Sequence, residues 1–243
     1  IKDIFMVNQG LFYWIALIIG GSSITVANLL MIISKPRFFP TISKILMSKI
    51  PGAAFFWMTM VNIPFLVYTF YTTYKYFKKN SLMVPQNSRK VLTQLTQLFG
   101  VSGFLFIVFN VAMVWITPAK NPPLHYTLLS LFALSGIGFS YAADYAFALS
   151  TGNMIKVSMS LNLVEIVSCL AALLTTMLTV KFDIKLGVFE IVAALAQLLA
   201  YSLFYCKILF LGIYSLGARF LSIQVDMLKK ERQTIIAYSI DMV

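Results

Sequence analysis

Four ionisable side chains, Asp144, Glu165, Glu190 and Lys207, stand inside long apolar stretches of the chain. At bilayer depth each costs about 2.5–3.5 kcal/mol to insert, so such residues are candidates for function by default. Two carboxylates in one site can exchange protons as general acid and base, and a buried lysine can hold a phosphate or pair with an acid. Asp144 lies in Tyr141-Ala142-Ala143-Asp144-Tyr145 and Glu165 in Leu163-Val164-Glu165-Ile166. The short connection between their helices makes those helices antiparallel neighbours, so both acids can face one cytosol-side cavity or share a basic partner. The plainer expectation is that Asp144 reaches headgroup water and that Asn162 or Ser168 caps Glu165. Lys207 is expected to extend its stem to the cytosolic boundary, holding a lipid phosphate or an acid only as the alternative. Glu190, one turn into the last span, is expected to reach water.

His125 is the one histidine, at the opening of span four, where an imidazole is comfortable at the luminal interface without catalytic duty. A multi-histidine zinc site is therefore excluded, and a Ser-His-Asp triad has only this residue to use. No Gly-x-Ser-x-Gly elbow, His-Glu-x-x-His pair, phosphate loop or dinucleotide fingerprint occurs. Were the chain an enzyme, His125, Asp144 and Glu165 would be its acid–base set. No cofactor and no metal is expected. Asn28, Asn62 and Asn110 place one amide in each of the first three spans, and hydrogen bonds among them are expected to join the bundle.

The elements that position these residues are set by the bilayer. A spanning helix needs about 20 mainly apolar residues. Leu11–Ser34, Ala53–Tyr74, Thr93–Thr117, Leu124–Leu149, Val157–Val180 and Leu186–Ser215 meet that length. With 60% hydrophobic residues, 11% charged residues and a mean hydropathy of +0.86, disorder and an ordinary soluble domain are excluded. The runs are too long and continuous for the alternating strands of a membrane barrel. The fold class is therefore all-α: six transmembrane helices in one bundle over residues 1–217, followed by a cytosolic helical tail over residues 218–243. Gly20-Gly21, Gly100 with Gly103, and Gly136 with Gly138 allow close helix approach. Phe and Tyr side chains are expected to face mostly lipid or the interface.

The net charge of +11 sits between spans, so it serves orientation and anionic lipid rather than nucleic acid. Lys2, Lys75, Lys78, Lys79, Arg89, Lys90, Lys156, Arg219, Lys229, Lys230 and Arg232 outnumber Lys35, Arg37, Lys44, Lys49, Lys120, Lys181 and Lys185, which places both termini in the cytosol. Lys75, Lys78, Lys79, Lys156 and Lys207 are the candidate lipid-headgroup residues. Pro36, Pro40 and Pro51 discourage helix in the first loop, Lys35–Gly52, the natural place for a structured cap. Tyr76–Lys90 reads as a flexible cytosolic loop. Phe220, Ile223 and Met227 against Lys229, Lys230 and Arg232 let the tail lie on a headgroup layer.

Phe39-Pro40-Thr41-Ile42-Ser43, then Pro51 and the aromatic start of span two, resemble the first loop of the FRAG/DRAM/SFK family of six-span membrane proteins. The resemblance continues through Asn62-Ile63, the Tyr71 to Tyr76 end of span two, His125 and Gly187-Val188-Phe189. It is closest in loop pattern to the branch that remodels the lipid of GPI anchors. Many members carry a Glu in the last span and, in that branch, a His about three turns on. This chain instead has Ala193-Ala194-Leu195-Ala196-Gln197 and Tyr205-Cys206-Lys207. The resemblance implies a lipid-related role in the endoplasmic reticulum membrane, or alternatively the Golgi. The departures favour a non-enzymatic protein that handles phospholipid or serves as a subunit or adaptor of a larger membrane protein in lipid transport or remodelling. A catalytic GPI-anchor or phospholipid remodelling factor is the alternative, and a small transporter is a weaker one, since neither inverted repeats nor a chain of midplane charges appears.

Overall fold

At bilayer depth only a helix or a closed barrel satisfies every backbone N–H and C=O, so each apolar run must become a helix. A computed structural model describes residues 2–34, 41–82, 84–151, 156–181 and 189–212, with side chains from residue 11 onward except 156 and 179–181. Its elements are α1 (Lys2–Ser34), α2 (Ile42–Met47), α3 (Lys49–Ser81), α4 (Gln86–Trp115), α5 (Pro122–Thr151), α6 (Lys156–Lys181) and α7 (Phe189–Gly212). Six of these are long and apolar enough to cross a membrane, and α2 is a short cap. The protein is an all-helical integral membrane protein. The tail 218–243, the motif residues Phe39 and Pro40, Gly187-Val188 and the Lys156 side chain lie outside the described residues.

Helices overrun the apolar windows that forecast them. Tyr76–Lys90, expected as a loop, is helical at both ends, since α3 continues to Ser81 and α4 begins at Gln86. Lys78 and Lys79 lie in the last turn of α3. Cations there complement the negative end of the helix dipole and extend the helix past the hydrocarbon. Pro51, expected to discourage helix, lies in the first turn of α3, where the missing N–H has no intrahelical acceptor to lose. Thr41 starts α2, its Oγ1 accepting from the Lys44 N–H at 3.3 Å.

Neighbours in sequence pack together: α1 on α3, α3 on α4, α4 on α5 and α5 on α6. The last span is the exception, because 61% of its apolar window is buried, more than in any other described span. Tyr205 lies against Gly20 of α1 and Phe204 against Gly136 of α5, and a Cβ on either glycine would overlap the ring. Phe106 meets Phe70, Phe132, Phe139 and Phe204, with ring centroids 4.6–6.1 Å apart. Many of the rings expected at the lipid surface therefore fill the core. Within lipid, association rests on packing rather than water exclusion, and large rings set on glycines give the most contact per helix pair.

Candidate functional site

Ser158 and Asn162 are four residues apart on α6 and so share a face. Both turn to α5. Ser158 Oγ donates to Asp144 Oδ1 and Asn162 Nδ2 to Asp144 Oδ2, each at 2.8 Å. From α7, Lys207 Nζ donates to Asp144 Oδ2 at 2.8 Å, to Ser158 Oγ at 2.7 Å and to the Ser158 carbonyl oxygen. Asp144 is 4% exposed and Lys207 2%. Withdrawing two charges from water is costly unless the remaining protons and lone pairs also find partners. Here three acceptors meet the three ammonium protons, and both carboxylate oxygens are bonded.

That arrangement corrects two expectations. Lys207 does not reach for the boundary, because a carboxylate lies within bonding distance where the stem is already buried. Asp144 likewise holds protein groups rather than headgroup water. The expected caps of Glu165 go elsewhere, since Asn162 bonds Asp144 and Ser168 Oγ donates to the Val164 carbonyl at 2.7 Å. Glu165 is 1% exposed and lies within the field of Lys207 and Asp144. Among the described residues neither of its oxygens makes a hydrogen bond of normal geometry, although the Ser140 hydroxyl is close by.

His125 precedes Asp144 by nineteen residues on one helix, about 28 Å at 1.5 Å per residue. The two therefore cannot serve one acid–base step. The imidazole is fully buried beneath α2, in the first turn of α5. Its Nδ1 lies 2.7 Å from the Ile116 carbonyl oxygen and its Nε2 3.0 Å from Ser43 Oγ. A carbonyl only accepts, so Nδ1 carries the proton and Nε2 accepts from the Ser43 hydroxyl. Two further links hold α2. Gln197 Oε1 accepts from the Ile42 N–H at 2.9 Å, and Lys44 Nζ meets Glu190 Oε2 at 2.9 Å with both side chains about one-third exposed. Glu190 thus finds a cation as well as solvent.

The three amides do not bond one another. Asn28 Nδ2 donates to Ile24 O of its own helix at 2.9 Å, Asn110 Nδ2 to Tyr205 Oη at 3.4 Å, and Asn62 lies beside the same hydroxyl. Tyr205 stands at Asn62 and Asn110 because α7 lies inside the bundle.

A groove of about 530 Å³ runs between α3 and α4 on the outer face. Val67, Tyr71 and Tyr74 form one wall, and Gln97, Gly100 and Phe104 the other. Lys75 Nζ lies 4.6 Å from the Tyr71 ring centroid at one end, and Lys78 and Lys79 are exposed beyond it. The sequence reading missed the groove, although Gly100 set against two tyrosines one turn apart is its trace. Among the described residues no group of three His, Cys, Asp or Glu is placed to hold a metal. No family model matches the chain, and no curated protein and no solved structure is significantly similar to it.

Proposed function

We propose that this chain is a non-enzymatic, phospholipid-handling membrane protein of the endoplasmic reticulum, acting as the membrane-embedded subunit or adaptor of a larger lipid-transport or lipid-remodelling protein. The observation that carries this reading is the α3–α4 groove, apolar but for Gln97 and the hydroxyls of Tyr71 and Tyr74, and open on the outer face of the bundle. Binding sites for small ligands are concave, mostly apolar and furnished with a few polar groups, and this groove has that character. The charged residues support the same reading. Asp144 and Lys207 spend their hydrogen-bonding capacity on each other and on α6, and His125 bonds the Ser43 hydroxyl and the Ile116 carbonyl instead of an acid. The loops are short, so a protein partner would dock on the spans or on α2.

The test is purification from native membrane in mild detergent, with mass spectrometry of what stays bound. Stoichiometric unmodified phospholipid together with a larger protein is the expected result. Neither lipid nor partner retained would overturn it.

One observation favours a second reading, a lipid acyl hydrolase. The Ser43–His125–Ile116 arrangement joins a nucleophile, a base and a group that orients the base. Ser43 Oγ would attack an ester carbonyl carbon while His125 Nε2 takes the hydroxyl proton and returns it to the departing alcohol. Water would then release the acid from the acyl-serine. Both side chains are buried, so α2 would have to lift first. Loss of lipid turnover in Ser43→Ala, with the bundle still folded, would establish this reading over the first.

A further inference from the structure

The groove has a charged end, and the charge has one sign. No Asp or Glu occurs anywhere between residues 4 and 143, so α3 and α4 contribute no carboxylate to it. Along α3, Val67, Tyr71, Tyr74 and Lys78 recur at helical spacing, as do Phe104, Gly100, Gln97 and Lys90 along α4. Each lysine therefore continues the face of its own groove wall. Lys78 stands three residues before the end of α3 and Lys90 four after the start of α4, about one turn from their shared connection. Both are exposed, and Lys75 joins them over the Tyr71 ring.

The length fits one leaflet. From Gln97 to Ile107 the α4 wall extends about 15 Å, half the roughly 30 Å of bilayer hydrocarbon. An acyl chain laid in the groove thus brings its glycerol and phosphate to the level of Lys78 and Lys90. Gln97, the amide side chain of the lining, stands at the lysine end, where an ester oxygen would lie.

We infer that the α3–α4 groove takes one acyl chain of an anionic glycerophospholipid, whose phosphate and charged headgroup rest on Lys75, Lys78 and Lys90. Lipid enters sideways between the helix ends, and the apolar wall accepts any chain while the lysines select for negative charge. This inference rests on the lipid-handling reading and names its ligand class, its site and its leaflet, the one on the side of the α3–α4 connection.

The experiment reconstitutes the full chain in phosphatidylcholine vesicles containing a minor share of phosphatidylserine, with one lipid or the other bearing a photoreactive acyl chain. The expected labels fall on α3 and α4 at the groove, with phosphatidylserine preferred. Lys78→Gln and Lys90→Gln should each lower that preference about fivefold, with phosphatidylcholine labelling falling less than phosphatidylserine labelling. Val101 lines the groove and is 59% exposed. Val101→Trp fills the space without touching the bundle interior, and labelling by both lipids should be lost. Labels spread over all outward faces, or unchanged in Val101→Trp, would overturn the inference. Lipid retained but labelled elsewhere sinks the groove and leaves the lipid-handling reading standing. With no lipid retained after purification, both fall.

Discussion

Lys207 and Asp144 sit 63 residues apart in sequence and 2.8 Å apart in space, joining the last span to the fourth through a charge pair almost wholly withdrawn from its surroundings. Ser158 touches both partners, so three helices meet at one ion pair. The geometry accounts for why two expensive residues are tolerated at this depth. It also makes the pair a poor candidate for chemistry, since neither partner is available to a substrate.

Removing one partner leaves the other charge stranded. Asp144→Asn should therefore lower stability by about 3–5 kcal/mol, whereas Asp144→Asn with Lys207→Met should recover much of the loss. Denaturant titration in detergent of the two single variants and the double variant reads the coupling. Additive effects would show that the pair contributes nothing of its own.

His125→Ala should release α2. The substitution removes acceptor and donor together, freeing the Ser43 hydroxyl and the Ile116 carbonyl, and each orphaned buried group costs about 1–3 kcal/mol. Hydrogen exchange over Ile42–Met47 should quicken while exchange in α4 near Asn110 stays slow. Gln197→Ala should speed the same amides through loss of the Ile42 bond. Unchanged exchange in both variants would mean that α2 is held by packing alone.

Gly136→Ala forces a methyl into the Phe204 ring and should cost about 1–3 kcal/mol, with the loss recovered by Phe204→Leu. A thermal shift of each single variant and of the pair measures this. Gly21, which has open space around it, is the control and should accept Ala without loss.

What could be read from the sequence follows from how far each physical signal reaches. Hydrocarbon thickness acts on every residue of a run, so six spans were legible. Ends were not, because the windows end where apolar character ends while hydrogen bonding continues, as α3 does through Lys78 and Lys79. The closeness of Asp144 and Glu165 to a shared cation followed from the short connection between α5 and α6. The identity of that cation did not, because chain order says nothing about the rotation of α7. The amides failed for the same reason, since Tyr205 arrives from the last span to meet Asn62 and Asn110.

The interior position of α7 sets the order of biogenesis. Ribosomes deliver spans from the N-terminus, so α1 and α3 to α6 enter the bilayer before the helix that packs among them. Until it arrives, Gly20 lacks the Tyr205 ring, Gly136 the Phe204 ring and Asp144 the Lys207 charge. Docking of α7 supplies the Lys207 charge and both rings in one step.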